Sequence, residues 1–65
     1  MIIVDLIRSL MFQQRVTIKY LSQETGLSYT LIEDIVLKDT IPTPKEAELM
    51  LWVLGMELED VLKIF

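Results

Sequence analysis

Two kinds of reactive side chain are missing outright. The chain of 65 residues has no cysteine and no histidine. Thiol nucleophiles, disulfides and cysteine-based zinc sites are therefore out of reach, as are the commonest general base and metal ligand. What remains is ten carboxylates and six basic side chains, with two tyrosines and a scatter of hydroxyls. Catalysis would have to rest on carboxylates and lysines of surface helices with no evident pocket, so no enzyme, cofactor or small-molecule ligand is expected. Among the polar side chains, Tyr29, Thr30, Glu33 and Asp34 fall in one short stretch that holds two acids and no base. Hydroxyls and carboxylates so placed can donate and accept hydrogen bonds at a surface. Their chemistry is recognition.

The stretch that must position them is Val16 to Pro42, VTIKYLSQETGLSYTLIEDIVLKDTIP. Thr17 is a good N-cap for a helix that runs through Thr25, and Gly26 can take the left-handed conformation that ends it. Ser28 caps the next helix, to about Leu37, with Lys38 to Pro42 as loop. Ile18, Leu21, Leu27, Leu31 (or Ile32) and Ile35 are spaced to knit this pair together. Before it, apolar residues recur at Ile3, Ile7, Leu10 and Met11 with Leu6 alongside, a helical stripe, although the β-branched Ile2-Ile3-Val4 could equally begin as a short strand. Gln13-Gln14-Arg15 is a polar joint. After it, Thr43-Pro44-Lys45-Glu46 puts threonine at N-cap, proline at N1 and glutamate at N3, a capping box. That helix should reach Leu54 and stop at Gly55. A last helix, roughly Leu58 to Ile64, would turn Leu58, Val61 and Leu62 inward. The expectation is one compact all-α domain of five short helices over residues 1–65, with connections of ordinary length.

Net charge is −4, whereas nucleic-acid-binding domains are usually basic. The distribution is uneven. Up to residue 45, Arg8, Arg15, Lys19, Lys38 and Lys45 balance Asp5, Glu24, Glu33, Asp34 and Asp39. Beyond it, Lys63 stands against Glu46, Glu48, Glu57, Glu59 and Asp60. The N-terminus MIIVDLIRSLMF lacks a basic leader, and Asp5 and Arg8 interrupt its apolar run well short of a membrane span. A cytoplasmic protein without a membrane partner is expected.

From Val16 to Leu62 the spacing resembles the lambda-repressor-like (Cro/XRE-type) helix-turn-helix family. The matching positions are Val16, Thr17, Leu21, Ser22, Gly26, Leu27, Ser28, Ile32, Ile35 and Pro42, then Leu54-Gly55-Met56, Leu58, Glu59 and Leu62, with no gap required. The resemblance implies a helix-turn-helix over about residues 17–37 and a small DNA-binding transcriptional regulator. By this likeness Tyr29, Thr30, Glu33 and Asp34 face bases in the major groove of double-stranded DNA. Arg15, Lys19, Lys38 and Lys45 fall where the fold meets phosphates. Several positions depart from the family pattern. Ile18 replaces a glutamine that helps fix such proteins on a phosphate. Met11 and Val36 stand where relatives often have an arginine–glutamate pair, a replacement that a well-packed apolar pair can make without loss of stability. Lys38 takes the place of a loop glycine. No arginine, lysine, asparagine or glutamine occupies a base-facing position to make the bidentate contacts worth about 1–3 kcal/mol of discrimination.

The chain is 52% hydrophobic, more than a single small domain easily hides. In the fourth helix Ala47, Met50, Leu51 and Leu54 suffice for a core-facing stripe. Leu49, Trp52, Val53 and Met56 are left over, with Ile64 and Phe65 at the end of the chain. A homodimer through these residues is expected, since two-fold dimers are the commonest assembly and suit paired half-sites. The rival expectation is an antirepressor-like or antitoxin-like module that keeps the fold and binds a protein such as a repressor. Its acidic Glu33/Asp34 surface would engage a basic DNA-binding face, or its Leu49/Trp52/Met56 stripe would cap a partner helix.

Overall fold

Apolar spacing and five hydroxyl or glycine punctuation marks, Thr17, Gly26, Ser28, Thr43 and Gly55, dictate the architecture. The computed structural model describes residues 2–57, 59 and 60, and among them the chain forms α1 (Ile2–Gln14), α2 (Ile18–Thr25), α3 (Tyr29–Lys38) and α4 (Pro44–Val53), with no strand. These are four helices rather than the five expected; the fifth, placed at about 58–64, lies largely outside the described residues. The radius of gyration is 10.5 Å, close to the roughly 11 Å of a compact chain this long.

Each helix start behaves as the local chemistry requires. Thr17 Oγ1 accepts from the Tyr20 N–H at 3.1 Å, and Ser28 Oγ from the Leu31 N–H at 3.1 Å. At α4 the capping box closes in both directions: the Glu46 N–H donates to Thr43 Oγ1 at 3.2 Å and the Thr43 N–H to Glu46 Oε1 at 2.9 Å. The α2–α3 turn is braced from inside. Gly26 takes φ 77°, the Ser22 hydroxyl donates to the Leu27 carbonyl at 2.7 Å, and Thr25 Oγ1 accepts from the Leu27 N–H at 3.2 Å.

The core is a single cluster of Val4, Ile7, Met11, Leu21, Ile32, Ile35, Val36, Met50, Leu51 and Leu54. α2 packs on α3 and α4, and α1 packs on the same two helices. Packing decides three points that the sequence left open or placed differently. The opening Ile2-Ile3-Val4 is helical, so the strand alternative falls. The buried stripe of α1 is centred on Val4, Ile7 and Met11, with Ile3, Leu6 and Leu10 half-buried at its margin, because the apolar arc of α1 is wider than the surface its neighbours cover. In α3 it is Ile32 that is fully buried and Leu31 that is half-buried. Met11 and Val36, the apolar pair noted in the sequence, both lie in the cluster.

Helix ends account for the remaining corrections. α1 runs through Gln14, shortening the joint, and stops where Arg15 adopts φ 57° while the Val16 N–H reaches the Met11 carbonyl at 2.9 Å. α3 includes Lys38 and ends at Asp39, also left-handed at φ 56°. α4 ends at Val53, with Leu54 as cap and Gly55 at φ 89°. Two side chains then tie helix ends across the fold. Arg8 donates from Nη1 to the Val36 carbonyl at 2.9 Å, and its Nη2 lies 2.6 Å from Asp5 Oδ1 and 2.8 Å from Asp39 Oδ1. Gln14 donates to the Leu54 carbonyl at 2.7 Å.

Candidate functional site

α3 is locked to the core along Ile32, Ile35 and Val36, so the helical period turns its other side outward. Tyr29 is 49% exposed, Thr30 is exposed, and Glu33 and Asp34 are half-buried. The four base-facing candidates are thus brought together on one helix, but the two acids are less projecting than the hydroxyls. Leu37, 65% exposed on the same side, was not singled out by sequence reasoning; its place a turn beyond Glu33 and Asp34 is readable from the helical period alone.

The electrostatics of this face are milder than two adjacent acids suggest. Lys38 Nζ lies 3.3 Å from Asp34 Oδ1, one turn apart on α3. That oxygen is shielded from water and has no hydrogen-bond partner, so the lysine supplies a charge contact rather than an aligned hydrogen bond. Glu33, Asp34 and Lys38 together leave one net negative charge. The lysine is 70% exposed in its side chain, and such a surface pair is worth only about 0–1 kcal/mol. A competing anion can therefore recruit Lys38 at small cost.

The other basic candidates are dispersed over helix ends. Arg15 is exposed in the left-handed turn after α1. Lys19 and Lys45 are each the second residue of a helix, α2 and α4, and both are exposed. A cation in the first turn is disfavoured by the helix dipole, so neither lysine is placed there for stability. Each adds a positive charge where backbone N–H groups already attract anions.

The interface candidates divide between surfaces. Leu49 and Trp52 line a shallow groove of about 540 Å³ whose other described lining residues are Glu48, Glu57 and Glu59. Trp52 is 67% exposed. Val53 lines a different groove, with Gln14, Arg15, Val16, Thr17 and Tyr20, and both Val53 and Met56 pack against the core. The four leftover apolar residues do not form one face, because α4 turns Val53 toward the α1–α2 joint and ends before Met56. Ile64 and Phe65 lie outside the described residues.

Arg8, Phe12 and Ile41 also escaped sequence reasoning. Phe12 and Ile41 are strongly exposed, and Phe12 follows Met11 on the flank of the buried stripe of α1. The reach of Arg8 to Val36, 28 residues away, has no sequence signal. Among the described residues no group of three acidic side chains is placed to hold a metal ion, and no helix is long and apolar enough to cross a membrane. Comparison with family models, curated proteins and solved structures finds no match to this chain.

Proposed function

We propose that the protein is a small DNA-binding regulator of the helix-turn-helix kind, with α3 as its recognition helix in the major groove. The observation that carries this reading is the division of α3: one side fixed in the core, the other free with Tyr29, Thr30, Leu37 and Lys38 exposed. Hydroxyls of Tyr29 and Thr30 are suited to base edges. Arg15, Lys19, Lys38 and Lys45 are suited to phosphates, which fix position without reading sequence. The resemblance of residues 16–62 to the Cro/XRE pattern supports the same reading. Titration of the protein into labelled duplex DNA at low salt tests it, and no binding to any duplex would end it. A light-scattering mass on the same sample tests the accompanying proposal of a homodimer, which would form through apolar surface other than the glutamate-rimmed groove of Leu49 and Trp52.

A second reading is favoured by a specific observation. Leu37 and Ile41, at 65% and 71% exposure, follow Glu33 and Asp34 around the end of α3. Apolar anchors beside carboxylates suit a basic protein surface better than a polyanion. In that case α3 would bind a protein, such as the DNA-binding face of a repressor, and Leu37→Ala would weaken that complex.

A further inference from the structure

α4 buries Ala47, Met50 and Leu51, with Leu54 just beyond its end, and its outer side holds Leu49 and Trp52 one turn apart. Exposed Glu48, Glu57 and Glu59 rim the groove beside them, and its described lining includes no basic side chain. An isologous dimer brings the same patch of both subunits together. Here that would set the three carboxylates against their own copies, a like-charge juxtaposition that opposes association. The complementary occupant carries the opposite charge. We propose that this groove is a docking site for a basic amphipathic helix of a partner protein. The partner's apolar side chains lie on Leu49 and Trp52, in the manner of a helix laid into an apolar groove. Its lysines or arginines meet Glu48, Glu57 and Glu59, and one of them has the exposed indole face of Trp52 available for a cation–π contact.

The groove shares no residue with the outward side of α3, so it stands whether or not α3 binds DNA. Trp52 is the sole tryptophan of the chain, and its fluorescence reports on the groove directly. The test titrates the 65-residue protein with a synthetic helical peptide carrying leucines on one face and lysines beside them. A peptide with glutamates in place of the lysines is the control. The lysine peptide should give a saturable fluorescence change that weakens as salt rises, and the glutamate peptide none. Glu48→Lys combined with Glu57→Lys should weaken binding about tenfold or more, and Trp52→Ala, followed with a labelled peptide, should do the same, as removal of a central anchor does. Trp52 is largely exposed, so its truncation leaves the core intact, which far-ultraviolet circular dichroism checks; the glutamate reversals test the proposal without it. Lys19→Ala with Lys38→Ala should leave peptide affinity unchanged. Equal response to both peptides, or undiminished binding by the reversed-charge variant, would overturn the proposal. So would a dimer that Trp52→Ala converts to monomer, since the groove would then belong to a second copy.

Discussion

Two non-glycine residues end helices in the left-handed region, and they differ in what holds them there. Asp39 is fastened by Arg8, whose Nη2 lies 2.8 Å from its carboxylate. Arg15 at φ 57° is exposed and makes no ion pair among those described. The left-handed conformation costs an L-residue about 1–2 kcal/mol, and glycine's extra chain entropy returns about 0.5–1 kcal/mol of that. Arg15→Gly should therefore raise stability by about 0.5–1 kcal/mol in urea unfolding, and in the same protein lower affinity for DNA if Arg15 reaches a phosphate. Arg8 contributes to the acid response through Asp5. Its hydrogen bond to Asp5 holds that carboxyl below the usual carboxylate range; partial desolvation opposes this, and the positive charges of the N-terminus and of Arg8 add smaller lowering contributions. A depressed pKa in the folded state contributes stability that is present above the unfolded value, near 4, and is lost as pH falls through the folded one. Asp5→Asn should remove that part of the acid-induced loss, giving a shallower decline of stability below about pH 4. On the proposed recognition side, Asp34→Asn removes a charge and frees Lys38, so duplex affinity should rise, read by anisotropy at fixed salt.

At the scale of elements, the helix starts were legible because capping is local chemistry: Thr17, Ser28 and Thr43 each accept from an N–H three residues on. Ser28→Ala should cost about 1 kcal/mol, seen as a lower urea midpoint with unchanged slope. Ile32 joins α3 to the rest with no exposure at all, and Ile32→Ala should cost about 2–5 kcal/mol. Against the roughly 3–10 kcal/mol available to a chain of this size, that variant should be partly or wholly unfolded by circular dichroism at room temperature. The facing of α1 was only half legible. Its apolar arc spans Ile3, Val4, Leu6, Ile7, Leu10 and Met11, and periodicity alone does not say which edge its neighbours will cover. The contact of Arg8 with the Val36 carbonyl was not legible, because it depends on where two helices separated by 28 residues cross.

Across the whole molecule, charge and apolar surface are segregated. The first 45 residues balance, with their lysines at helix ends, while the acids gather on and after α4. The sequence already showed that segregation and the outward set of α3. It did not show that Lys38 is paired with Asp34, nor that Leu49 and Trp52 share a groove with three glutamates while Val53 turns to another surface, since both follow from the rotation of helices in the packed fold. The proposed binding of duplex DNA by α3 and the lysines at helix ends is the property to test first. Its most direct measurement is fluorescence anisotropy of a labelled duplex titrated with the protein across a series of salt concentrations, beside the Lys19→Ala, Lys38→Ala double variant. Binding should weaken linearly on a log–log plot against salt, and the double variant should flatten the slope by about 1.8, or about 0.9 for each lost phosphate contact. Absence of binding by a folded protein at the lowest salt, or an unchanged slope in the double variant, would contradict it.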